Sequence, residues 1–97
     1  TIENVIVYPN PFDAATRVGF NIGSAGDIKI DIYTLTGRLV KTLNKQVQIG
    51  EEGAVCLDYN GTDFNDNIIG NGTYIYKIIT KNGTKEYSKT GKFVKLK

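Results

Sequence analysis

The chain lacks histidine, methionine and tryptophan, and its 97 residues include one cysteine and two prolines. Without histidine there is no imidazole to act as a general base or as the commonest metal ligand. The single Cys56 excludes an internal disulfide bond, so cysteine usage does not indicate a cellular compartment. Because Cys56 stands in an apolar run, Ala54 to Leu57, we expect its thiol to be buried and inert.

Other absences exclude further classes. No apolar run approaches the about 18 residues of a membrane-spanning helix, and no segment shows helical periodicity. No serine lies in a nucleophile motif and no base accompanies the cysteine, which argues against an enzyme. The net charge of +2 is too small to indicate nucleic-acid binding. Because a natural chain starts with methionine, we expect residues 1–97 to be one domain excised from a longer protein. We also expect this domain to be monomeric and free of cofactors.

Alternating apolar and polar residues are the main positive signal. The clearest case runs from Asp27 to Tyr33, where the isoleucines face inward and Lys29 and Asp31 face water. Seven such segments recur at intervals of roughly ten residues between Gly/Asn turns, which predicts an all-β, immunoglobulin or fibronectin-III-like sandwich of about seven antiparallel strands. The predicted strands are Glu3–Tyr8, Arg17–Ile22, Asp27–Tyr33, Leu39–Leu43, Ala54–Tyr59, Gly72–Ile79 and Glu86–Lys97.

Two sheets would enclose a core made mainly of β-branched and aromatic residues. Its predicted members are Val18, Phe20, Ile28, Ile30, Ile32, Leu57, Tyr74, Tyr76 and Ile78. Phe12 follows two prolines, which predict an extended exit from the first strand and a Phe12 side chain that covers one end of the core. The spacing Gly72-x-Tyr74-x-Tyr76 is typical of a sandwich corner, where a tyrosine fills the core while its hydroxyl caps a backbone group.

The last hairpin concentrates positive charge. Residues 1–76 carry a balance of −4, whereas residues 77–97 carry seven lysines against Glu86, a balance of +6. Asn82-Gly83 predicts a two-residue type I′ turn that sets Ile78 opposite Tyr87 and Lys77 opposite Ser88. The lysines either protect an edge strand against pairing or form a recognition patch for a partner. The candidate recognition residues are Lys89, Lys92, Lys95 and Lys97, all expected to be exposed.

Two acidic segments raise the question of a site. Asp63-x-Asn65-x-Asn67 has the opening spacing of a calcium loop, but Ile68 and Tyr74 stand where an EF-hand requires glycine and glutamate. A weak calcium site in residues 60–71 and a series of Asx turns both fit these residues. Glu51-Glu52 have no third partner and indicate a solvated loop.

Five pieces of the sequence resemble one superfamily in their order and spacing. They are Tyr8–Phe12 (YPNPF), Ile30–Val40 (IDIYTLTGRLV), Tyr59–Asp63 (YNGTD), Gly72–Lys77 (GTYIYK) and Thr90–Val94 (TGKFV). The motif residues within them are Pro9, Asn10, Pro11, Phe12, Gly37, Arg38, Gly72, Tyr74, Tyr76 and Gly91. The superfamily comprises the immunoglobulin-like domain of the flagellar hook-capping protein and the C-terminal sorting domains of type IX secretion. Family members usually have Trp-Asp-Gly at Tyr59–Gly61, and Gly at Asn67, where asparagine can also take a positive φ.

The basic ending resembles the sorting branch. This implies a non-catalytic tag at the C-terminus of a secreted or cell-surface protein, whose partners are the secretion machinery and an upstream cargo domain. The hook-cap branch implies a structural spacer or assembly module instead. A carbohydrate-binding module is a third interpretation, in which Tyr33, Tyr59 and Tyr87 would present a stacking platform.

Overall fold

Strict alternation gives each strand one apolar face, and two antiparallel sheets bury these faces against each other. The computed structural model describes residues 2–96, which form seven strands and no helix. The strands are β1 (Ile2–Tyr8), β2 (Thr16–Ile22), β3 (Gly26–Thr34), β4 (Leu39–Val47), β5 (Gly53–Tyr59), β6 (Gly72–Asn82) and β7 (Lys85–Lys95). One sheet has the order β1-β2-β5 and the other β4-β3-β6-β7, which confirms the predicted sandwich. Within residues 2–96 no helix could cross a membrane. Lys97 lies outside the described residues.

The core confirms the predicted inward faces. All nine core residues predicted from the alternation are at most 9% exposed, and Ile30 and Ile78 are fully buried. These two residues also face each other across β3 and β6. The prediction for β4 was too short, because the strand continues past Leu43 and buries Val47, which is 4% exposed. The polar residues between them pair with β3 and keep the strand regular.

The β6–β7 turn differs from its prediction by one position. Asn82 pairs with Lys85, so the loop residues are Gly83 and Thr84. Of these two only Gly83 has a positive φ, 63°, which fits a type II′ rather than a type I′ turn. The predicted register is therefore wrong by two residues. Ile78 faces Lys89 and Lys77 faces Thr90. Because side chains alternate with a period of two, this shift leaves the inward and outward faces unchanged.

Two side chains lie in environments that their neighbours did not indicate. Cys56 is exposed, so the expected burial is wrong. Val55 and Leu57 take the inner face of β5, and the strand period leaves Cys56 on the outer face opposite Gly19. Asp31 does lie on the outer face of β3, but it is only 7% exposed.

Neighbouring side chains cover Asp31 and pair with its carboxylate. Thr42 on β4 donates a hydrogen bond of 2.8 Å to Asp31 Oδ1, and Tyr33 donates one of 3.3 Å to Oδ2. Lys29 Nζ lies 3.7 Å from Oδ2. The carboxylate therefore keeps polar partners although water is largely excluded, as burial of a charged group requires.

Candidate functional site

The pieces that carry the resemblance lie at one end of the sandwich, which we call the signature end. There β1, β3, β5 and β7 finish and β2, β4 and β6 begin, and the end carries loops 9–15, 35–38 and 60–71. Pieces up to 84 residues apart in the chain meet here. The strand topology therefore brings these pieces together, because the strands that carry them begin or finish at this same end.

The YPNPF segment is fastened to the last strand. Asn10 Oδ1 accepts a hydrogen bond of 2.9 Å from the Val94 amide. The Phe12 amide donates to the Val94 carbonyl at 2.9 Å, and the Leu96 amide donates to the Phe12 carbonyl at 2.8 Å. Both X–Pro bonds of this segment are cis. The segment bends rather than continuing as the predicted extended exit, and its backbone hydrogen bonds go to β7. It thus acts as a short parallel pairing segment beside Lys95.

An aromatic cluster lies beneath this segment. Phe12 is 1% exposed and stacks on Phe93 with ring centroids 5.5 Å apart. Phe93 also contacts Tyr59 edge-on at 6.2 Å and Tyr74 and Tyr76 at 6.0 and 6.3 Å. Such pairs stabilise a core beyond the effect of buried area alone. Phe12 therefore covers the end of the core as predicted, and Tyr59 fills the position where family members usually have tryptophan.

The tyrosine hydroxyls of the cluster cap the long loop. Tyr74 Oη donates to the Gly70 carbonyl at 2.8 Å, which confirms the predicted corner. Tyr59 Oη donates to the Thr62 carbonyl at 2.8 Å, and burial raises the pKa of Tyr59 well above its ordinary value. Burial likewise raises the pKa of Tyr76. These two phenols thus resist ionisation and stay in the neutral form that suits a buried ring.

Gly91 of the TGKFV piece has a steric role. It lies opposite Tyr76 on β6, and a Cβ atom at this position would stand 2.7 Å from Tyr76 Cε2, with the ring's hydroxyl closer still. Only glycine leaves room for the tyrosine ring to cross β7. The conformation of Gly91 is not the reason, since its φ is not positive.

Gly37 and Arg38 lie in the β3–β4 turn, between two of the predicted strands. The Gly37 amide donates to the Thr34 carbonyl at 3.0 Å, and the Thr34 amide donates to the Arg38 carbonyl at 2.9 Å. Gly37 has a φ of 95°, a region that a side chain strongly disfavours. The motif residues of this turn therefore serve to maintain its backbone conformation.

The 60–71 loop is held by its own side chains. Asp63 Oδ1 accepts a hydrogen bond of 2.9 Å from the Asn65 amide, which closes an Asx turn, and one of 3.0 Å from the Asn67 amide. The positive φ predicted for Asn67 falls on Asp66 instead, at 62°. Lys41 ties the loop to β4 through the Asp63 carbonyl at 3.2 Å. The hydrogen bonds of Asp63 to the loop backbone thus account for the spacing that also fitted a calcium loop. The described residues hold no cluster of three metal-ligating side chains.

The candidate lysines do not form one patch. Lys89 and Lys92 are exposed, but they lie on opposite faces of β7, because three residues separate them. Lys95 is only 3% exposed, so its predicted exposure is wrong. Its stem passes close to Gly61, where a Cβ atom added to the glycine would stand 3.7 Å from Lys95 Cε. Its ammonium group lies 5.8 Å from the centre of the Phe12 ring. This contact, with a lysine stem along apolar surface and a cation near a ring face, favours burial.

The tyrosines proposed for a sugar platform are dispersed. Tyr59 lies in the core, 1% exposed. Tyr33 lies on the outer face of β3, whereas Tyr87 shares the inward-facing side of β7 with Phe93. No flat aromatic surface joins these three residues.

These features define a class: a seven-stranded immunoglobulin-like module whose signature residues close one end. The chain belongs to the family of secretion system C-terminal sorting domains, whose model matches residues 6–95. It is therefore a sorting domain of type IX secretion, and such domains mark proteins for release or attachment at the cell surface. No curated protein matches the chain in sequence.

Solved structures share the fold. Dimeric latent PorU from Porphyromonas gingivalis has 25% identity and a TM-score of 0.82 over 95% of this chain, which spans only 9% of PorU. PorZ of the same organism, a surface component of its type-IX secretion system, has 21% identity and a TM-score of 0.66 over 97% of this chain and 12% of PorZ. FlgD from P. aeruginosa has 18% identity and a TM-score of 0.71 over 96% of this chain and 75% of FlgD. At these lower identities, PorZ and FlgD show only that the fold is shared.

Proposed function

We propose that this domain is the non-catalytic sorting module of a larger exported protein, and that the secretion machinery recognises it through exposed lysines of the β6–β7 hairpin. One observation carries the proposal: the signature residues pack and bond within the domain to close one end of the sandwich, whereas the basic hairpin remains at the surface. A partner that reads the folded domain would therefore contact Lys89 and Lys92 rather than Phe12 or Tyr74. Lys95 then supports the fold and is not contacted directly.

The charge distribution supports this assignment. The balance of +6 in residues 77–97 falls entirely on β6, β7 and their turn, apart from Lys97. In the described part of these strands Glu86 is the only acidic residue, and it already lies 3.9 Å from Lys81 Nζ. An excess of positive charge on the surface raises the rate of encounter with an acidic partner, even though the lysines lie on both faces of the hairpin.

The geometry also leaves room for cargo. Ile2 pairs with Ile22 at the end of the sandwich opposite to the signature end. A domain joined before residue 2 would thus emerge far from the fastened end of β7, along a molecule 38 Å in its longest dimension. The β6–β7 turn lies at this same opposite end, so Lys92, nearer the signature end, would lie farther from the cargo than Lys89 does.

An export assay tests the proposal. A reporter is fused ahead of the domain in a host with type IX secretion, and the wild type is compared with the double variant Lys89→Gln/Lys92→Gln. The matched control is Arg17→Gln/Lys45→Gln, which removes the same charge from exposed residues of β2 and β4. We expect the β7 variant to fold normally, since exposed charges contribute little stability, and to lose surface delivery, while the control variant is exported.

Two results would contradict parts of the proposal. Normal export of the folded β7 variant would refute recognition through these lysines. Normal export after deletion of the whole domain would refute the sorting role and leave the spacer interpretation, for which a rigid sandwich suffices.

A further inference from the structure

The free edge of β7 presents a defined set of backbone groups. The amide and carbonyl of Val94 point away from β6, because they bond Asn10 and Phe12. Asn82 and Lys85 flank a two-residue turn, and such flanking pairs exchange hydrogen bonds within the hairpin. Both observations give the same alternation. Odd-numbered residues of β7 bond β6, and even-numbered residues point outward.

Only part of this edge is covered. The YPNPF segment occupies the outward groups of Val94 and the amide of Leu96. Within residues 2–96, no backbone or side-chain partner bonds the outward groups of Glu86, Ser88, Thr90 or Lys92. We call residues 86–92 the open edge. It is long enough for a standard strand of about five or six residues.

The side chains beside the open edge select against a second copy of this chain. Lys89 on one face and Lys92 on the other are exposed, and Lys85 lies on the same face as Lys89. Two copies paired antiparallel about residue 89 would place the Lys89 side chains of both chains opposite each other, which is unfavourable. An acidic strand would instead find opposite charges on both of its faces.

We propose that the open edge accepts an extended acidic segment of a partner protein as a fifth strand beside β7. The backbone groups of Ser88, Thr90 and Lys92 would supply the ladder hydrogen bonds, and the lysines would supply the choice of partner. Because Lys89 and Lys92 are three residues apart on opposite faces, the segment should carry acidic residues three positions apart. The proposed function enters only in assigning this partner to the secretion machinery. The docking itself does not depend on it.

The probe is a short synthetic peptide of alternating threonine and valine, with two glutamates three positions apart. Its binding to the whole chain is measured by calorimetry, and amide hydrogen exchange is followed by NMR. We expect binding that weakens with salt, with new protection at Ser88, Thr90 and Lys92. The amides of Lys89 and Gly91 already bond β6, so their protection should change little. A peptide with lysines in place of the glutamates should not bind.

Two variants with matched controls locate the contact. Thr90→Pro removes an outward amide that has no partner within the domain, a position where an edge strand tolerates proline. Thr90→Val keeps that amide and is the control. We expect Thr90→Pro to abolish binding and Thr90→Val to leave it unchanged. Lys89→Gln/Lys92→Gln should weaken binding about tenfold, as expected from the loss of two cross-strand charge pairs.

Several outcomes overturn the proposal: no binding of the acidic peptide, protection outside residues 86–92, or equal binding by the proline and valine variants. A dimer of the chain that Thr90→Pro dissolves would show that the occupant is a second copy. Peptide binding as expected together with normal export of the lysine variant would support the docking edge and refute its use by the secretion machinery. Failed export without peptide binding would refute the docking edge alone.

Discussion

Replacing Phe12 by alanine tests whether the YPNPF segment is structural. The ring is 1% exposed and contacts Phe93 and Tyr59. Full burial of a phenylalanine is worth about 1.5–3 kcal/mol, and each aromatic pair adds about 0.5–1.5 kcal/mol. With the cavity that remains, Phe12→Ala should reduce the free energy of unfolding by about 4 kcal/mol. For a domain of this size that is a Tm lower by about 20 °C.

The assay is urea unfolding followed by near-ultraviolet circular dichroism, with Tyr8→Ala as the matched control. Tyr8 is an aromatic residue of the same segment but is 74% exposed, so its replacement should change stability by less than about 0.5 kcal/mol. Phe12→Ala should also speed exchange of the Val94 and Leu96 amides, since the segment that bonds them loses its anchor. Similar losses from both variants, or a loss below about 1 kcal/mol for Phe12→Ala, would refute the assignment of Phe12 as the end of the core.

Two further predictions concern the tyrosines. Gly91→Ala should destabilise the domain by about 2 kcal/mol, because the new methyl group overlaps the Tyr76 ring, whereas Gly23→Ala, with open space at its Cβ position, should change urea stability little. Because burial raises the folded-state pKa of Tyr59 and Tyr76, the unfolded chain loses these protons first. Stability should therefore be fully present below about pH 10 and fall as the pH rises above it. Urea midpoints at successive pH values check this, and an equally steep fall in Tyr59→Phe would contradict the role of Tyr59.

Local alternation and turn chemistry were sufficient to predict the seven strands and their inward faces. The isoleucines of β3 and the capped hydroxyl of Tyr74 followed from spacing alone, because strand period and corner geometry are local properties. Assigning Phe12 to the end of the core needed only its position after two prolines. These features involve few competing choices.

The predictions that were wrong are those for which the local sequence allowed more than one structure. Asn82-Gly83 is the stronger turn dipeptide for a type I′ turn, but Gly83-Thr84 satisfies a type II′ turn and allows Asn82 and Lys85 to pair. Cys56 has apolar neighbours, yet the face of a strand residue is decided by its parity. The burial of Lys95 depends on Gly61 and Phe12, which are distant in sequence, and no local pattern indicates it.

The fastening of Asn10 and Phe12 to the last strand has a consequence for when the domain can exist. Contacts across 84 residues cannot form until both partners have been synthesised. A chain that stops before Phe93 lacks the ring that Phe12, Tyr59, Tyr74 and Tyr76 all contact. The fold therefore requires that translation has passed Leu96. A machinery that reads the folded domain would pass over chains that stop before that point.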